Sequence, residues 1–298
     1  MSALAMITAQ LLSGRGACQP LMAGRRLIAM NPVGRLRAEV GWRLFGGLSM
    51  ARSVWRLRGW DRAQSIPIAI PDARRVPVIF CTWKRLERLP LTLELLAAQD
   101  VAVQALIWDN SRQPDVVDKA VADARIPVAV RHSRRNIGGF GRFYLARAAA
   151  EAKHEAVVFV DDDQEFGPGT VRELLSTHRP RSVSSPWAFR FTGRRYDSRE
   201  RCAPGEAAHY LGTGGMVADA MVFTDPRLFA CPRRFWFVED LWLCYAAQHV
   251  HGYALSASPA RLDEVIDGRN QSLSLLWVKG RLRRYMARRG WLRVTAPR

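Results

Sequence analysis

Two groups of acidic residues have types and spacings suited to chemistry. Asp161, Asp162 and Asp163 follow directly on the apolar run 156–160, with Glu165 two residues further on. Adjacent carboxylates repel, so a site that keeps them gains something in return, most simply a divalent cation. A hard cation such as Mg²⁺ or Mn²⁺ takes one or two protein carboxylates and completes its shell with water and substrate phosphate. The plain alternative is a solvated acidic turn after a strand. The second group is Glu239-Asp240, at the head of the largely apolar helical segment 235–245. Acids in a first turn often only complement the helix dipole. Here Trp236, Phe237, Trp242 and Leu243 would partly desolvate them, and desolvation raises a carboxylate's pKa toward general-base use.

The elements that must hold these acids follow a regular pattern. Val76 to Cys81 reads as a short buried strand, with a helix near Leu86 to Gln99. Val101 to Trp108 is a second strand, followed by a helix that starts after Pro114. Ile126 to Val130 is a third, leading to a helix around Gly139 to Lys153; the strand ending at the aspartates is the fourth, with a helix near Gly169 to His178. Alternating strands and helices joined by short loops predict a mostly parallel α/β sheet with helices on both faces. In such sheets ligands bind outside the carboxyl ends of the strands, where Asp161–Asp163 fall. Ser182 to Trp187 is a candidate fifth strand, weakened by Pro186. The arginine-rich stretch 188–210 breaks the alternation and reads as a mobile loop. The glycines of 211–216 allow backbone to approach a ligand closely.

The chain has 298 residues, 48% of them hydrophobic, ample for one large globular domain with appendages. Its formal net charge is +18, carried mostly by arginine, since lysine occurs only at Lys84, Lys119, Lys153 and Lys279. Such a charge favours anionic partners: nucleic acid, an acidic membrane surface or phosphorylated substrates. The five cysteines show no CxxC spacing and their number is odd, which reads as reduced thiols in a cytosolic chain. No run of about 18 apolar residues is present to span a bilayer.

Three parts are expected: a basic helical extension over 1–70, a catalytic domain over 71–270, and a basic amphipathic helix over 271–298. Within the first, Leu36, Val40, Leu44, Leu48, Ala51 and Trp55 recur at helical spacing, with Arg43, Arg52 and Arg56 off that stripe. Near the C-terminus Leu275, Val278, Leu282 and Tyr285/Met286 form another stripe, flanked by six basic residues with no acid after Asp267. Both suit peripheral docking on an anionic membrane, or equally helices packed on the domain with their arginines in water.

Taken together, these motifs resemble the family 2 glycosyltransferases, enzymes of the GT-A fold that transfer a sugar from a nucleotide diphosphate sugar. The resemblance covers about Val76 to Tyr253. It implies that the loop Thr82 to Arg85 borders the nucleotide and that Asp109, in Asp109-Asn110-Ser111, contacts base or ribose. An Asn-x-Gly-Gly element matches Asn136-Ile137-Gly138-Gly139, with Arg142 beyond it. The DxD motif matches Asp161-Asp162-Asp163, implying metal at Asp163 with Asp161, and Asp161 and Asp162 near the nucleotide sugar. The Glu-Asp motif matches Glu239-Asp240, implying Asp240 as catalytic base. The spelling is closest to galactofuranosyl- and rhamnosyl-type members. The Gln-x-x-Arg-Trp motif of processive synthases is missing, and no downstream histidine is an evident third ligand; His249 and His251 are candidates.

The resemblance thus implies a metal-dependent inverting transferase acting on a glycan or lipid-linked acceptor in cell-surface assembly, with no nucleic-acid partner. Two rivals remain. A sugar-nucleotide nucleotidyltransferase would need a glycine-rich loop after the first strand, and 82–85 contains no glycine. A non-enzymatic basic binder explains the charge but not the two acidic groups.

Overall fold

The computed structural model describes residues 68–265 and 275–292. The helix expected within 35–60 lies outside them, as does Cys18. Seven strands form the central sheet: β1 (Val76–Thr82), β2 (Val103–Asp109), β3 (Val128–His132), β4 (Ala156–Phe159), β6 (Ser182–Ser185), β10 (Met216–Asp219) and β11 (Ala254–Ala257). Their spatial order is β11-β6-β10-β4-β1-β2-β3, parallel except that β10 runs antiparallel to both β4 and β6. A short pair, β5 (Gln164–Glu165) with β12 (Asp263–Glu264), lies beyond the aspartates.

Period-two alternation explains how one sheet supports two cores. Val78 and Phe80 of β1 point to one face and Ile79 to the other; Ala105 and Ile107 of β2 oppose Leu106 and Trp108. The first face is covered by α1 (Leu89–Ala97), α2 (Pro114–Ala122) and α4 (Thr170–Ser176), through Leu93, Leu96, Val117, Val171 and Leu174. The second is covered by α3 (Gly141–Glu151) and α5 (Glu239–Tyr245). Pro114 stands at the first position of α2, where its missing N–H costs nothing.

Three expectations change. Residues 188–210 do not form a mere loop: β7 (Ala188–Phe191), β8 (Arg199–Arg201) and β9 (Tyr210–Leu211) make a three-stranded antiparallel sheet. Phe191, Tyr196 and Tyr210 are buried there, and the Arg199 guanidinium stacks 4.1 Å from the Tyr196 ring, so an arginine-rich segment still packs. The C-terminal helix α6 (Leu276–Ala287) does form, but Val278, Leu282 and Met286 of its apolar stripe join the main core. Those three side chains are therefore not offered to lipid. His249 and His251 lie away from the aspartates, His249 on the Arg289 carbonyl and His251 beside Asp225. Cys81, Cys202, Cys231 and Cys244 are free thiols, and no helix among the described residues is long and apolar enough to cross a membrane.

Candidate active site

The carboxyl ends of β1, β2 and β4 bring most of the singled-out residues together. Asp161, just past β4, is met by the nearly buried Arg142 of α3, Nη2 to Oδ1 at 2.9 Å. The same guanidinium lies 3.7 Å, Nε to Oε1, from Glu239 in the first turn of α5. Arg85, in the loop after β1, sits 3.2 Å from Asp163 and 3.7 Å from Asp162. The Asp161 amide donates to Oε1 of buried Gln164.

This negative charge exceeds what the two arginines neutralise. Burial, then the neighbouring Asp161 charge, pushes Asp162 up to about 6 and Asp163 up to about 7 despite Arg85. Among the described residues no three His, Cys, Asp or Glu side chains form a ready-made metal cage. One or two carboxylates in excess negative charge is what a Mg²⁺ or Mn²⁺ site shared with phosphate requires, so the donor set fits such an ion.

The Asn136–Gly139 turn is built around close approach. Asn136 Oδ1 accepts from the Gly138 amide at 2.7 Å, and Gly138 has φ +69° with Phe237 against it. A Cβ on Gly139 would fall 1.8 Å from Glu239 Oε1, so only glycine lets the turn lie beside this acid. Asn110 locks the turn to the end of β2: its Oδ1 accepts from the Ile137 amide and its Nδ2 donates to the Gly138 carbonyl. A Cβ on Gly214 would meet Gln164 and Asp161, so the glycine-rich segment does abut the site.

Glu239 and Asp240 face different surroundings. Burial, only partly offset by Arg142, pushes Glu239 up to about 7. Asp240 is also buried, but its Oδ2 receives the Lys279 ammonium of α6 at 2.7 Å and the Tyr210 hydroxyl at 2.5 Å. Its Oδ1 accepts from the Leu241 amide at 2.7 Å. Burial works against ionisation there, yet Lys279 overcomes it and holds the carboxyl below its ordinary value.

Two expected residues are less open than the resemblance implied. Asp109 is buried, with Oδ1 on the Ser111 amide at 2.7 Å and Oδ2 on His132 Nδ1 at 2.8 Å. Thr82 is buried at the end of β1, with no hydrogen-bond partner for its hydroxyl among the described residues. Sequence reasoning missed Lys279, Tyr210, Gln164 and Asn110 as parts of the site. Asn110 stood inside a quoted motif; Lys279 was read only as one member of a basic face.

No protein-family model matches the chain, and no curated protein does. Solved structures do. The mannosyltransferase PcManGT from Pyrobaculum calidifontis, solved with GDP-Man and Mn²⁺, superposes with a TM-score of 0.53 over 88% of this chain and 76% of that one, at 14% identity. The fold is GT-A-like. Residues 1–349 of S. aureus TarS, in complex with UDP, give 0.45 at 17% identity over 69% of this chain and 65% of that one. Against a longer TarS structure the chain spans 39% of its neighbour. The inositol-1-phosphate CTP transferase from T. maritima gives 0.41 at 14% identity, over 70% of this chain and 97% of that one.

Proposed function

We propose that this protein is a glycosyltransferase of the family 2 type, moving a sugar from a nucleotide diphosphate sugar to an acceptor hydroxyl with inversion. The observation that supports it most is Arg142, which joins the aspartates after β4 to Glu239 at the head of α5. One site thus holds an acidic cluster suited to a metal–diphosphate and a carboxyl poised to take a proton. The complex of the mannosyltransferase PcManGT with GDP-Man and Mn²⁺, on a similar fold, agrees with this reading.

Asp163 with Asp161 would hold the divalent cation, which supplies Lewis-acid stabilisation of a departing diphosphate. Arg85 and Arg142 position the aspartates, Arg85 against Asp162 and Asp163 and Arg142 against Asp161. The Asn136–Gly139 turn, whose Ile137 and Gly138 amides are taken by Asn110 and Asn136, leads into α3 and seats Glu239 beside Arg142. As the acceptor oxygen bonds to the anomeric carbon, its proton passes to a carboxylate and the carbon–diphosphate bond breaks, its electron pair leaving with the diphosphate. The resemblance gives the proton to Asp240, whereas the surroundings favour Glu239. A carboxyl near 7 on the side of Arg142 is a better base than one bound by an ammonium, a phenol and an amide. Asp240 then serves as the anchor that fixes the helix start. The acceptor is a glycan or lipid-linked hydroxyl of cell-envelope assembly.

The test is a panel of nucleotide sugars with Mn²⁺ or Mg²⁺, assayed for the nucleoside diphosphate released. Release of pyrophosphate from a nucleoside triphosphate and a sugar phosphate, with no diphosphate release from any sugar nucleotide, would move the protein to the nucleotidyltransferases.

A further inference from the structure

Helix α6 sorts its basic residues into two kinds. Lys279 turns inward to Asp240, and Arg283 is buried with its guanidinium on the carbonyls of Trp291 and Leu292. Arg281, Arg284, Arg288 and Arg289 turn outward and are exposed. Arg234, exposed on the segment before α5, joins them: its guanidinium and that of Arg289 lie 5.6 and 3.6 Å from the same Tyr285 ring. Arg281 lies 4.8 Å from the Trp277 ring. Among the described residues none of these five arginines has a carboxylate within ion-pair distance, and 275–292 contains no acid. Elsewhere among the described residues exposed arginines are either paired, as Arg172, Arg195 and Arg227 are, or stand without an ion pair singly, as Arg74, Arg125 and Arg131 do, whereas those of α6 share one helix face.

A patch of unpaired arginines needs anions to offset its self-repulsion. Its guanidiniums are interleaved with half-exposed Trp277 and Tyr285 and with Leu275 and Leu276, the mixture of amphipathic rings and cations that settles at a lipid headgroup layer. We infer that the outward face of α6, with Arg234, is a docking surface for an anionic phospholipid bilayer. The stripe residues Val278, Leu282 and Met286 take no part, since they are buried in the core; attachment is electrostatic and reversible by salt. The opposite face of the same helix carries Lys279 to Asp240, so a docked helix fixes how the candidate site is presented to the bilayer.

The experiment is flotation of the full chain with vesicles of phosphatidylcholine alone or mixed with phosphatidylglycerol, at low and high salt. It uses no nucleotide sugar, so it is independent of the transferase reading. The wild type binds the anionic vesicles at low salt and is released at high salt. Arg281→Gln/Arg284→Gln/Arg288→Gln lowers that affinity on the order of a hundredfold, at about fivefold per arginine. The same number of charges removed at the exposed Arg74, Arg125 and Arg131 lowers it only a few-fold. Both triple variants should melt with the wild type, because none of the six side chains is buried. Equal losses in the two variants would mean that only net charge matters, and equal binding to neutral vesicles would mean no anionic recognition; either overturns the inference. So would tighter binding to a short DNA duplex than to vesicles, lost in the α6 variant.

Discussion

At the scale of single residues, the adjacent acids Glu239 and Asp240 differ because of what each touches. With Glu239 as proton acceptor, Glu239→Gln lowers turnover by roughly 10²–10⁴-fold. The activity of the wild type rises through about pH 7 and that limb is missing from the variant. The same group links stability to pH. A carboxyl raised from 4.5 to about 7 favours the folded state while protonated. Its contribution is complete below pH 4.5 and lost as the pH climbs to about 7. Melting curves across that window should show the wild type losing stability relative to Glu239→Gln; parallel curves would mean that Glu239 ionises normally. Asp240→Asn should behave differently, chiefly lowering stability, because it leaves the Lys279 ammonium buried without its counter-charge. Breaking a buried pair in this way costs about 3–5 kcal/mol. Full stability with lost turnover in Asp240→Asn would return the base role to Asp240.

At the scale of elements, the site depends on a glycine turn and on a helix distant in sequence. Gly139→Ala places a methyl on the Glu239 carboxyl, so the turn and the start of α5 cannot both keep their positions. Substrate turnover should collapse while the sheet persists, which circular dichroism and an activity assay separate. The Lys279–Asp240 pair gives a double-mutant test. Lys279→Met and Asp240→Asn should each destabilise, and the double variant should be more stable than their sum predicts. Additivity would show that the pair does not hold α6 in place. These elements were unequally legible. β1, β2 and β4 were readable to within two residues because they are largely apolar runs buried on both faces, with Gln104 the one polar residue inside β2. The start of α2 was fixed by Pro114, and the Glu-Asp pair does head α5. The β7–β9 sheet was missed because its arginines look like loop while they stack on aromatic rings. For α6 the periodicity showed that one face is buried but not against what, and protein core and lipid leave the same stripe. Lys279 was hidden for the related reason that its partner is a contact between distant segments.

For the whole molecule, a net charge of +18 surrounds a site that is locally negative. On the proposed reading, the basic exterior would draw phosphorylated donors in, and the aspartates after β4 would keep a bare diphosphate out unless a cation came with it. Binding of nucleoside diphosphate should therefore depend on Mg²⁺ or Mn²⁺, while long-range attraction should weaken with salt. The decisive measurement is calorimetric binding of UDP and GDP, with and without Mn²⁺, to the wild type and to Asp163→Asn. One nucleotide should bind only with the metal and stabilise the wild type by about 2.7 kcal/mol at roughly a hundred times its dissociation constant. Asp163→Asn should lose that metal-dependent binding without loss of fold. Metal-dependent binding of equal strength in the variant, or no nucleotide binding by the wild type under any metal condition, would contradict a metal–diphosphate site at these aspartates.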